Sequence, residues 1–305
     1  MSFYVLASTF ANNILPILLL GAAGFALGKL LHIESRSLGR VVFYVFSPVL
    51  IFDLLIQNRL DWSEALSVMV LTICIVVTMG VLTYLLASLF KLERSAMIAI
   101  LITTMFANTG NYGLPLVSFA FGEQALSYAG IYFVTTTVLF YTLGVFIASL
   151  GHMNLKDAAL GLFRIPTMYA VVLAFVIIAL EIQIPGPVDR AIELAANGTI
   201  PLMLILLGVE LTRVEFSGSL RAMQLSVGLR LLVAPFVALL LTGVFDIQGF
   251  ARQASVTEAA MPSMVSSTVL ATEYNLDARL VTAIIFISTI LSPLTLTPLL
   301  VFLGR

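Results

Sequence analysis

The segment Asn108-Thr109-Gly110-Asn111-Tyr112-Gly113-Leu114-Pro115 sits in the middle of an interval, between Arg94 and Glu123, that holds no charged residue. Such an interval accommodates one membrane-spanning helix, since about 20 apolar residues cross roughly 30 Å of hydrocarbon. Within it meet three features that disrupt a helix: two glycines, a proline without an N–H, and two asparagines able to bond nearby backbone. Hydrocarbon does not tolerate unpaired backbone groups, so the break must face protein or a wet cavity. Its free N–H groups, with the positive end of the following half-helix, suit an anionic group. A packing kink is the alternative, although asparagines at the bilayer centre are hard to explain by packing alone.

The rest of the chain supports a membrane setting. Of 305 residues, 60% are apolar and only 10% are Asp, Glu, Lys or Arg, with a mean hydropathy of +1.10. A soluble domain carries about a quarter charged residues, so too little polar surface remains to cover a globule in water. That excludes a soluble enzyme, a disordered regulator and a nucleic-acid binder. The net charge of −1 offers phosphates no basic stripe. Cys74 is the only cysteine, so no intramolecular disulfide and no cysteine-based metal cluster can form.

Uncharged intervals also lie before Lys29, between Glu64 and Lys91, between Glu123 and His152, and between Arg279 and Arg305. With the apolar stretches near 37–58, 165–183, 190–211, 219–244 and 250–273, about ten helices are expected. Period-2 alternation is absent, which excludes an outer-membrane barrel. The N-terminus lacks the basic region of a cleaved leader. Residues 1–150 and 165–305 each look like five helices, joined by an amphipathic cytoplasmic linker over 151–164. Five is odd, so the second half enters the membrane from the opposite side, as in an inverted repeat. Pro48 and Pro201 echo one another, and span nine is interrupted at Met261-Pro262-Ser263 and Ser266-Ser267-Thr268 as span four is at 108–115. Lys and Arg divide ten against four between the two sets of loops, with Arg230 in neither, which places the first set in the cytoplasm and both termini outside the plasma membrane.

Candidate functional residues follow from depth. Asn108, Thr109, Gly110, Asn111 and Pro115 form the first break. In the second, Pro262 releases the carbonyl of Glu258, while Ser263 and Ser266 offer hydroxyls to a ligand. Ser267 and Thr268 serve a ligand or simply re-satisfy the broken helix. Arg230 is about 11 residues from Ser219, roughly 16 Å deep, too far to snorkel to the surface. It must pair inside the bundle, as a structural contact or in substrate or gating work. Asp53 and Glu258, toward the outer halves of their spans, are either proton-carrying sites or side chains in a wet vestibule. Glu210 reads as a solvated residue at the end of its span. His32 and His152 fall in connections, so no base is available at depth for an intramembrane protease. No metal-ligand spacing, cofactor motif or P-loop is present.

These residues resemble the auxin efflux carrier family of the bile acid/auxin transporter superfamily over essentially the whole chain. The likeness rests on Asn108 to Pro115, on Arg164-Ile165-Pro166, on Pro201, Gly208 and Leu211, and on Ala260-Met261-Pro262 followed by Val269-Leu270-Ala271 and Tyr274. It implies ten helices, with spans four and nine crossing at their unwound centres and substrate beside the crossing. It further implies a secondary carrier of small organic anions, with mono- or dicarboxylates as the substrate class, coupling to protons or sodium unspecified, and a homodimer through scaffold helices. Carried over by position, Asn108, Asn111 and Pro115 match the first crossover and Pro262 the second. Ile165 and Ser266 stand where many members have asparagine. A channel or a membrane-embedded ligand sensor of the same fold is the competing expectation.

Overall fold

The computed structural model describes residues 3–58, 60–149, 165–213 and 219–304. The linker expected over 151–164 lies outside them. Among the described residues every extended element is a helix, and the one β-type contact is an isolated bridge. The helices, numbered in chain order, are α1 (Phe3–Leu30), α2 (Ser35–Asn58), α3 (Trp62–Leu89), α4 (Arg94–Met105), α5 (Thr109–Ala148), α6 (Pro166–Ala179), α7 (Gly186–Glu210), α8 (Leu220–Val244), α9 (Gly249–Ala259), α10 (Ser267–Glu273) and α11 (Ala278–Leu303).

Seven of these, α1, α2, α3, α5, α7, α8 and α11, are long and apolar enough to cross a membrane. The count falls short of ten for identifiable reasons. α4 and α6 are apolar but have only 12 and 14 residues. α9 and α10 are the two pieces of an interrupted stretch, with 11 and 7 residues. α5 has 40 residues, about 60 Å of helix and twice the bilayer core. It bends at Gly122, whose φ of 78° and ψ of −170° fall in a region essentially reserved for glycine.

Prolines shape the long helices. Of the five π-helical turns among the described residues, four, Phe10–Ile14, Val42–Phe46, Thr109–Gly113 and Leu229–Val233, each end two residues before a proline: Pro16, Pro48, Pro115 and Pro235; the fifth, Phe140–Gly144, has none. A proline removes its own N–H and its ring presses on the carbonyl four residues back. Widening the turn relieves that clash and passes the orphaned carbonyl to a later donor.

The bundle is apolar inside and out. On α3, Val68, Leu71, Ile75, Val76 and Met79 are buried, while Leu66, Val70, Ile73, Val77 and Val81 form an exposed stripe at helical spacing. An exposed apolar face of that length is what a helix presents to lipid. Polar glue is sparse and specific: the hydroxyls of Thr83 and Thr104 meet at 2.8 Å between α3 and α4, and those of Thr103 and Ser226 at 2.9 Å between α4 and α8.

α1 and α7 make the most extensive helix pair, and α9 lies along α5 and α6 along α2. The α1–α7 contact is backbone to backbone. A methyl group at Gly24 would overlap the Ile205 carbonyl, and one at Gly208 would overlap the Gly21 carbonyl. Small residues at such points let membrane helices approach closely enough for dispersion to bind them. Gly208→Ala is therefore expected to force the pair apart and to cost about 1–3 kcal/mol, lowering the thermal midpoint in detergent. Gly21→Ala, whose methyl would meet nothing within 4 Å, is the matched control and leaves the midpoint unchanged.

Candidate functional site

Two unwound segments meet inside the bundle. α4 ends at Met105, and Phe106 turns extended with φ −108° and ψ 116°. Asn108 follows at φ −77° and ψ 63°, after which the π turn Thr109–Gly113 leads into Leu114 and Pro115. α9 ends at Ala259, before Pro262, and the chain runs irregularly to Ser267. The Asn108 N–H donates to the Pro262 carbonyl at 2.8 Å, and the Met264 N–H donates to the Phe106 carbonyl at 3.0 Å. Ala107 and Ser263 thus form an antiparallel bridge. Each break supplies the hydrogen bonds that the other has lost, which is how backbone at membrane depth is satisfied away from water. The Glu258 carbonyl, expected to be released by Pro262, instead accepts from the Met261 N–H at 3.3 Å.

Arg230 lies in the π turn of α8 and is 1% exposed. Its guanidinium donates through one terminal nitrogen to the Thr104 carbonyl at 2.6 Å and through the other to the Ala259 carbonyl. The expectation of an internal partner holds, and the partners are backbone carbonyls. Both belong to helix C-termini, where partial negative charge collects. One cation therefore caps α4 and α9 together.

Glu258 is 0% exposed, and its carboxylate lies so close to Gly113 that a methyl group there would overlap it. A wet vestibule is therefore the wrong description of its surroundings. Neither carboxylate oxygen has a hydrogen-bond partner among the described residues. The same holds for Asn108 Nδ2 and for the hydroxyls of Thr109, Ser255, Thr257, Ser263 and Ser267. Buried polar atoms are normally paired, and here unpaired ones gather around the two breaks and along the end of α9.

The remaining expected residues divide. Gly110 packs under the Phe133 ring, where a side chain would collide, and Pro115 opens the second half of the broken segment. Ser266 is the residue preceding α10, with its side chain making no cap bond. Asp53 is not brought to the breaks by its contacts: its carboxylate accepts from Gln57 Nε2 at 2.8 Å, and the charges that act on it are those of Asp189, Glu193 and Glu123. Glu210 is the last, half-buried residue of α7, as its sequence position suggests, and it adds a contact that the sequence did not show: Oε2 accepts a hydrogen bond from Asn111 Nδ2 at 3.2 Å. Tyr112 adds a buried hydroxyl that accepts from Ser292 Oγ at 3.1 Å, fixing the turn against α11. Among the described residues no group of His, Cys, Asp or Glu is arranged to hold a metal ion.

Arg230→Met would leave the Thr104 and Ala259 carbonyls without their cationic donor. A loss of about 3 kcal/mol or more is expected, since hydrogen bonds to charged groups are worth about 1.5–3 kcal/mol each. Arg230→Lys, which lacks the planar fork, should recover only part of it. Thermal denaturation of the purified variants in detergent measures both, and equal midpoints for parent and Arg230→Met would show that the cap is dispensable.

The chain matches the family described as membrane transport protein over residues 9–158 and 152–300. It is 31% identical over 290 residues to an uncharacterized transporter of Methanothermobacter thermautotrophicus, with 93% of this chain and 94% of that protein aligned. It is 27% identical over 295 residues to an uncharacterized transporter of Methanocaldococcus jannaschii, again covering 93% and 94%. With seven helices able to cross a bilayer and both breaks inside the matched regions, this multi-pass membrane chain belongs to the auxin efflux carrier-like family of membrane transport proteins.

Proposed function

We propose that the protein is a secondary carrier of a small organic anion, working by alternating access around the paired breaks. The observation that carries this reading is the reciprocal backbone bonding of 106–108 with 262–264, surrounded by unpartnered polar side chains. Neutral amides, hydroxyls and the N-terminal end of the half-helix after Gly113 replace an anion's hydration with fixed partial charges. A midplane lysine would hold a carboxylate more firmly and slow its release. In this reading α4 with residues 109–121, and α9 with α10, each make one interrupted crossing. The bend at Gly122 then starts a separate crossing over 123–148. Ten crossings result, as two inverted five-helix repeats over 1–150 and 165–305, with both termini outside the plasma membrane.

Asn108, Thr109, Gly110, Asn111, Pro115, Pro262, Ser263 and Ser266 form the substrate site. Asn108→Ala and Asn111→Ala each remove a polar partner worth about 1–3 kcal/mol, or roughly 5- to 150-fold in affinity. Pro115→Ala lets the π turn relax toward regular helix and changes the transport rate as well as binding. The experiment is ligand-induced thermal stabilisation across organic acids, followed by uptake and counterflow in proteoliposomes. Saturable uptake with counterflow identifies a carrier. Continuous conductance would identify a channel instead, and asparagine variants that bind and transport like the parent would reduce the breaks to packing kinks.

Glu258 is the coupling group of this reading, because a buried carboxylate without partners requires a countercharge, a proton or a monovalent cation. Glu258→Gln is expected to abolish uptake driven by a proton or sodium gradient while leaving counterflow intact. Gradient-driven uptake at the parental rate in Glu258→Gln would remove Glu258 from the mechanism.

A further inference from the structure

Asn111 and Glu210 lie 99 positions apart, yet Asn111 Nδ2 donates to Glu210 Oε2 at 3.2 Å. Of the two break asparagines, Asn108 has an amide nitrogen with no partner, whereas that of Asn111 is taken by a carboxylate. Glu210 is the last residue of α7, two positions beyond Gly208, where α7 touches the backbone of α1. The carboxylate therefore projects from the most closely packed helix pair, while the amide belongs to the unwound turn between α4 and the half-helix that follows.

We propose that Glu210 is a tethered competitor: its carboxylate holds the Asn111 amide in the empty protein and is displaced when a substrate carboxylate arrives. Glu210 thereby determines affinity and anion selectivity. The proposal rests on the organic-anion reading above and deepens it by naming the chemical group recognised at Asn111. An amide N–H that receives a glutamate carboxylate in the ground state has the position and polarity to receive one from solution. Two carboxylates at one amide repel each other, so occupancy is an exchange and the two are not bound side by side. A tethered competitor also spares the amide from lying unpaired at depth when no substrate is present. Because it acts at high local concentration, it weakens the apparent affinity for a free ligand and speeds release, which a carrier needs.

The experiment measures stabilisation of the full chain by malonate, malate and acetate, titrated on the parent, Glu210→Ala, Glu210→Gln, Asn111→Ala and the Glu210→Ala/Asn111→Ala double variant. Glu210→Ala is expected to bind the effective carboxylate about tenfold more tightly than the parent. Glu210→Gln, which keeps the shape and the hydrogen bond but not the charge, should show a smaller gain and also serves if the alanine variant fails to fold. In the Asn111→Ala background the gain should vanish. A gain that persists there is long-range repulsion and overturns the proposal. Carboxylates that stabilise the parent and Glu210→Ala equally overturn it too, and leave the organic-anion reading standing. Carboxylates that stabilise neither the parent nor any variant overturn both.

Discussion

The structure depends on a requirement of the membrane interior: a backbone N–H or carbonyl cannot be left bare in hydrocarbon. Interrupting a helix at depth orphans several such groups at once. The protein interrupts two, and brings the interruptions together so that 106–108 and 262–264 bond each other as a minimal antiparallel pair. Arg230 then covers carbonyls at both preceding helix ends, and the proline-linked π turn Thr109–Gly113 leads the chain out of the first break. Neither break would be tolerable without the other. Irregular backbone and its side chains are thus held deep in the bundle at fixed positions.

Around that pair, packing assigns different roles to different helices. α1 and α7 are fused by glycines at backbone contact, whereas α4 meets α3 and α8 through hydroxyl pairs, apolar side chains and the Arg230–Thr104 bond. A contact through overlapping backbone surfaces resists sliding, because every small shift meets a carbonyl. A hydroxyl pair can be exchanged for another or for water at little cost. The Asn111–Glu210 bond links the end of α7 to the π turn that opens α5.

Legibility in the sequence followed the dimension of each feature. Features along the chain were readable. The break at 108–115 announces itself through glycine, asparagine and proline together, and the charge of Glu123 marks the boundary that Gly122 makes in three dimensions. That Arg230 needs an internal partner also follows from depth alone. Features across the chain were not readable. Nothing in the sequence says that Arg230 meets carbonyls and not a carboxylate, that Glu258 faces Gly113, or that Glu210 turns toward Asn111, because a one-dimensional reading gives depth without azimuth. Prolines 16, 48 and 235 could have been read further, since the clash that each imposes on the carbonyl four residues back is local and foreseeable.

Those prolines have a consequence for how the helices are aimed. A π turn accommodates one residue more than an α turn, so everything beyond it is rotated by about 100° relative to an uninterrupted helix. In α8 the widened turn Leu229–Val233 sets the azimuth at which the chain emerges past Pro235, with Arg230 inside the turn itself. The lipid-facing and core-facing stripes of α8 are consequently out of phase above and below the turn. Hydrophobic periodicity measured over the whole span averages two different helical wheels. A comparison of relatives by helical wheel would need to restart its count at each such turn.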